Sequence, residues 1–234
     1  MKAEISRMFK LFVSNINARG IAFLVLFGIV SIAHLIFCFL EQEKWRKITK
    51  PFCVFFLALA VLVSAPHLYL VYIGLFLGMI GDIFLIFKDK EVLLTIGTIC
   101  FMVNHFFFIA QYIVWFGSAF AWYLYLIVGL VVALILMVGI LFYVRKSVKK
   151  KIAFGGVLYF SVIFADAFFA FVALILGRWD YFLLNAIGML FFLSSDIYLV
   201  KTIFIKDDKR SDFYIMGTYL SAQFFVTLGF LLTL

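Results

Sequence analysis

The feature that most restricts this chain is a succession of long apolar runs broken only by short polar segments. Eight runs of about 15 to 26 residues can be drawn, over 21–40, 51–65, 68–87, 92–116, 119–144, 152–176, 181–200 and 213–233. A helix rising 1.5 Å per residue needs about 20 residues to cross a hydrocarbon core about 30 Å thick. With 67% hydrophobic and 14% charged residues, the chain exceeds the roughly half-apolar composition that one soluble core accommodates. The runs also lack the period-two alternation of a membrane barrel. The expected fold is all-α, a polytopic integral membrane protein of eight transmembrane helices.

Ahead of the first run, Ile5, Met8, Phe9, Phe12, Val13 and Ile16 recur at helical spacing, with Lys2, Arg7, Lys10 and Arg19 on other faces. This predicts an interfacial amphipathic helix over 1–20, followed by a transmembrane domain over 21–234. No small-residue cleavage site follows the run over 21–40, so that run reads as a span and not as part of a cleaved signal. The net charge of +8 is an orientation signal and implies no nucleic-acid partner. In the eight-span layout, 15 of the 20 Lys and Arg residues fall on one side, in segments near 44–50, 88–90, 145–151 and 201–210. The positive-inside rule makes that side cytoplasmic. The connections are too short for a soluble domain, so any binding or chemistry falls to the helices and their ends. Cys38, Cys53 and Cys100 lie in or beside apolar runs and read as small buried hydrophobes, with neither a disulfide framework nor metal spacing.

Two stretches align: "LGMIGDIFLI", residues 77–86, with "FFLSSDIYLV", residues 191–200. Their aspartates, Asp82 and Asp196, superpose, each after a small residue and before Ile, an aromatic and Leu. Each stretch leads through a short charged segment to a helix containing "AQ" before an aromatic, at Gln111 and Gln223. A repeat of four spans in each half, 21–116 and 119–234, would relate the halves by an axis along the membrane normal. A carboxylate in a span costs about 2.5 to 3.5 kcal/mol on insertion scales, so it reads as functional and inward-facing. Asp82 and Asp196 should lie about 8 to 9 Å inside the basic side, Tyr159 and Tyr219 at similar depth, Gln223 at about 15 Å, and Asn104, His105 and Asp166 near 20 Å. Gly74, Gly78 and Asp82 share one face, which lets a neighbouring helix approach the carboxylate closely. Together these groups predict a polar cavity open toward the basic side, walled by spans three, four, six, seven and eight. His34 reads as a packing residue.

Two carboxyls in a low-dielectric site can divide into an acid and a base at neutral pH, as cleavage of acetal-like bonds requires. The same pair would also suit a proton-coupled transporter, or simple packing in a lipid-binding protein without turnover. Against transport, both prolines, Pro51 and Pro66, fall at the ends of span two, so broken helices are not expected. His34, His67 and His105 are too dispersed for a zinc site, and no HExxH, GxSxG, P-loop or dinucleotide fingerprint occurs. No metal and no cofactor are expected.

"GDIFL" in span three, "FMVNH" in span four, "SSDIYL" in span seven and "TYLSAQ" in span eight, in that order, resemble the YhhN-like transmembrane family, which includes membrane lysoplasmalogenases. The resemblance covers most of the chain. It implies hydrolysis of the vinyl-ether bond of a lysophospholipid, releasing a fatty aldehyde and a glycerophospho-choline or -ethanolamine. Asp82, His105, Asp196, Tyr219 and Gln223 match the family's motif positions. The expected roles are acid and base for Asp82 and Asp196, in an unassigned order, with Asn104, His105, Tyr159, Asp166, Tyr219 and Gln223 binding substrate or water. Phe108 departs from the family pattern, which has tyrosine there, and Asp166 is an acid outside that pattern.

Overall fold

The computed structural model describes residues 16–87, 89–117, 150–176, 179–204 and 210–233, with isolated positions between 127 and 139. Among the described residues seven helices follow in order: α1 Ala18–Phe39, α2 Glu43–Ser64, α3 Tyr69–Leu85, α4 Glu91–Phe116, α5 Lys150–Leu176, α6 Trp179–Phe204 and α7 Ser211–Leu232. Six of them are long and apolar enough to cross a membrane, and α3, at 17 residues, is a shorter apolar helix. The chain is therefore an all-α polytopic membrane protein. The interfacial helix expected over 1–20 lies almost entirely outside the described residues, as does most of the fifth span, 119–144.

Local chemistry sets the first boundaries. Asn17 caps α1, its Oδ1 accepting the Gly20 N–H at 2.8 Å, while its Nδ2 donates to the Val63 carbonyl at 2.5 Å and ties the start of α1 to the end of α2. The turn out of α1 closes with the Gln42 N–H on the Phe37 carbonyl and the Glu41 N–H on the Cys38 carbonyl. That pattern needs a left-handed residue just past the helix, and Glu41 supplies it at φ +56°.

The second span differs from the expectation drawn from Pro51. Helix α2 begins at Glu43, and Pro51 lies in its interior. Proline suits a first helical turn, which makes it look like a boundary. Here the polar turns before it are held by side chains, Glu43 with Lys47 one turn on and Arg46 with Asp212 of α7. The missing Pro51 N–H removes only one intrahelical bond. The charged segment at 44–50 is thus helix and not loop, and it turns toward the bundle.

Sequential helices pack side by side, with the most extensive contact between α6 and α7 and the next between α3 and α4. Helix α7 also touches α1 and α2, and it reaches α4 through Phe230, which packs on Phe108 and Tyr112. In its most apolar window 67% of residues are buried, against 22% in α1, so α7 is central and α1 peripheral. Lipid supplies no hydrophobic force between helices, so close packing at small residues must do so. A Cβ at Gly81 would stand 2.8 Å from the Phe101 ring and 3.2 Å from the Gly97 carbonyl, which marks the α3–α4 approach. A Cβ at Gly188 would stand 2.9 Å from the Val226 amide nitrogen, which marks α6–α7.

Candidate functional site

A cavity of about 190 Å³ opens at the end of the bundle where α2 and α7 begin and α3 ends. Exposure grades along it. The Arg46 and Asp212 side chains are 27% and 36% exposed, Lys50 18% and Asp82 2%. The rim is therefore charged and exposed, and the floor is buried.

Two carboxylates reach this cavity, each paired with a tyrosine. Asp82, in the last turn of α3, accepts the Tyr219 hydroxyl of α7 at 2.9 Å. Asp196 of α6 accepts the Tyr159 hydroxyl of α5 at 2.8 Å. Four helices thus converge through two hydrogen bonds. Packing fixes the tyrosine on α7, whose ring meets Phe101 and Phe192 edge to face at 5.8 and 5.7 Å. Ser195, beside Asp196, donates to the Ile215 carbonyl at 3.1 Å and ties the acid-bearing turn of α6 to α7.

The remaining polar groups named from the sequence lie deeper, fully buried and outside the cavity lining. His105 of α4 meets Asp166 of α5 through Nδ1 and Oδ2 at 2.7 Å, and its ring packs against Phe192 at 4.5 Å. That contact gives Asp166 a partner the sequence could not assign. Asn104 fits a notch in α3, since a Cβ at Gly74 would stand 2.9 Å from its Oδ1, and a Cβ at Gly78 would stand 3.5 Å from its Nδ2 and 3.9 Å from Gln223 Nε2. The Asn104 and Gln223 amides therefore flank Gly78, one turn below Asp82, and Gln223 also lies beside the Tyr219 hydroxyl. Neither amide completes a hydrogen bond to protein among the described residues, nor do His105 Nε2 and Asp166 Oδ1. The arrangement has two tiers: a cavity floor of paired carboxylates and tyrosines, and beneath it a buried set of amide, imidazole and carboxyl groups.

The wall of the cavity is wider than expected from the sequence. Helices α1 and α2 contribute His34, Cys38, Glu43, Arg46, Lys47 and Lys50. Lys50 Nζ lies 3.4 Å from Asp82 Oδ1, and Arg46 Nη2 lies 2.7 Å from Asp212 Oδ2. His34 is buried, with Nδ1 2.7 Å from the Thr49 hydroxyl and Nε2 3.5 Å from Cys38 Sγ. A signal for the α2 residues was present: Arg46 and Lys50 continue the same helical face as Val54, Ala58 and Val61, all fully buried. Among the described residues no group of three or more His, Cys, Asp or Glu side chains is placed to hold a metal, and the three cysteines are free.

Helices of this length around a floor of paired acids define a polytopic membrane protein with a two-carboxylate site opening at one end of the bundle. The model of the YhhN family matches residues 45–230, so the chain belongs to the YhhN family. No curated protein and no solved structure matches it.

Proposed function

We propose that this chain is a membrane-embedded hydrolase that cleaves the vinyl-ether bond of a lysoplasmalogen, releasing a fatty aldehyde and a glycerophospho-choline or -ethanolamine. The observation that carries the reading is the pair of buried carboxylates, each held by a tyrosine hydroxyl, on one cavity of a YhhN-family chain. A vinyl ether is cleaved by protonation at its β-carbon. One carboxyl delivers that proton, the π pair forms the new C–H bond, and an oxygen lone pair completes an oxocarbenium ion. Water then adds to the α-carbon and gives a proton to the second carboxylate. As the hemiacetal collapses, its hydroxyl proton returns to the first group and the departing glycerol oxygen takes the proton from the second. Both carboxyls are restored, and no cofactor is consumed.

Arg46 and Lys47 at the rim would attract the lipid phosphate. Asn104, His105, Asp166 and Gln223 would form a polar bed that orders water beneath the acids. The substrate is a single-chain lysophospholipid arriving from the leaflet, and the basic loops face the cytoplasm. The buried His105–Asp166 pair, in mid-bundle, favours a second reading as a proton-coupled transporter.

Aldehyde release from choline and ethanolamine lysoplasmalogens by the purified protein in detergent tests the proposal. Asp82→Asn and Asp196→Asn proteins with unchanged melting temperature should each lose about 10²- to 10⁴-fold in rate. A folded parent that releases no aldehyde from either substrate refutes the hydrolase. Proton flux in proteoliposomes would then be the readout for the transporter.

A further inference from the structure

The two carboxylates share a cavity but not an environment. Asp82 accepts from the Tyr219 hydroxyl through Oδ2 and meets the Lys50 ammonium through Oδ1. Among the described residues Asp196 accepts from the Tyr159 hydroxyl alone, and no Lys, Arg or His nitrogen lies within 4.0 Å of it. Most of the other charges around the cavity are matched elsewhere. Arg46 pairs with Asp212 and Lys47 with Glu43 at the rim, while His34 engages Thr49 and Cys38. Asp89 lies in the short α3–α4 connection, also at the rim. Lys50 is thus the one described cation on a floor carboxylate, and its side chain is itself mostly withdrawn from solvent.

An anion facing an ammonium is favoured over one facing only a phenol, and two anions in one cavity oppose each other. The negative charge therefore belongs on Asp82 and the proton on Asp196. We propose that Lys50 is the positioning residue that divides the labour of the site. It holds Asp82 as the carboxylate that takes a proton from water and leaves Asp196 as the acid that protonates carbon. This rests on the vinyl-ether reading above. In that reaction Asp196 gives its proton to the β-carbon and recovers one from the hemiacetal hydroxyl. Asp82 takes a proton from the attacking water and gives it to the glycerol oxygen, so Lys50 faces a charge that is present at the start and end of each cycle.

Infrared difference spectroscopy of the resting protein reads the charge placement without turnover. Subtracting the Asp196→Asn spectrum from that of the parent should reveal the carbonyl stretch of one protonated carboxyl. Subtracting the Asp82→Asn spectrum should reveal none. Lys50→Met should gain a protonated-carboxyl band that Lys50→Met/Asp82→Asn lacks, and Lys50→Arg should match the parent. A band lost in Asp82→Asn, or a Lys50→Met spectrum identical to that of the parent, overturns the assignment whether or not the protein turns over. In the aldehyde assay, Lys50→Met should lower kcat by about 10- to 100-fold with KM little changed, the scale of one lost charged hydrogen bond, and Lys50→Arg should recover most of it. Full kcat in Lys50→Met likewise overturns the role. A parent that shows the expected bands but releases no aldehyde leaves the charge assignment standing and removes the hydrolase reading alone.

Discussion

A single methyl at Gly188 should separate the two helices that hold Asp196 and Tyr219. A Cβ there would stand 2.7 Å from Val226 Cγ2, 2.9 Å from Val226 N and 3.0 Å from the Ala222 carbonyl oxygen. Two of these three are backbone atoms of α7, so no rotamer change relieves the contact. Gly28, inside α1, has nothing within 4 Å of the same position. Alanine gains about 1 kcal/mol of helix propensity at either site, so comparing Gly188→Ala with Gly28→Ala cancels that gain and leaves the overpacking, about 1 to 3 kcal/mol. At about 2 to 4 °C per kcal/mol for a chain of this size, Gly188→Ala should melt about 2 to 12 °C below Gly28→Ala. Thermal unfolding of the two purified proteins in one detergent measures the difference. Gly188 lies eight residues before Asp196 on α6, about 12 Å along the axis. Between the two on α6 stands Ser195, bonded to the Ile215 carbonyl of α7, so aldehyde release should fall together with the melting temperature. A Gly188→Ala protein as stable as Gly28→Ala would refute the close α6–α7 approach and the tie it places beneath the site.

Tyr159→Phe and Tyr219→Phe keep the packed rings and remove the hydroxyls that reach the carboxylates; each should lower kcat/KM by about 10- to 100-fold, and unchanged kinetics in both would remove the tyrosines from the site. Asp166→Leu strands His105 Nδ1 in the bundle and should cost about 1 to 3 kcal/mol in thermal unfolding, whereas adding His105→Phe should recover part of that loss; strictly additive losses would show that the two side chains do not interact. Glu41→Gly relieves a left-handed backbone at φ +56° and should raise the melting temperature by about 2 to 4 °C, for a gain of about 1 kcal/mol; a lower value would contradict the turn.

What the sequence could and could not reveal follows from where each interaction is decided. Helical periodicity and the cost of charge in lipid act along one segment, so the described helices, the inward burial of Asp82 and Asp196 and the small-residue face of α3 were legible from the chain alone. Partner choice is decided between segments. Tyr159 and Tyr219 could be placed near the depth of the acids, but only the central position of α7 brings Tyr219 to Asp82 and leaves Asp196 to Tyr159 on α5. The same limit hid the pairing of Asp166 with His105, which joins residues 61 apart in the chain. Lys50 was obscured for a different reason. A lysine before a proline at a membrane boundary reads as topology, and the positive-inside rule explains it without any site. Its helical register with Val54, Ala58 and Val61 points the other way, because a face buried for about two turns does not turn to solvent one residue before Pro51. Where a basic flank shares the phase of the buried stripe that follows it, it belongs to the bundle interior. Among the described residues that phase delivers an ammonium to Asp82 and none to Asp196, and this asymmetry is the physical basis of the division of labour proposed for two carboxylates set in similar local sequence.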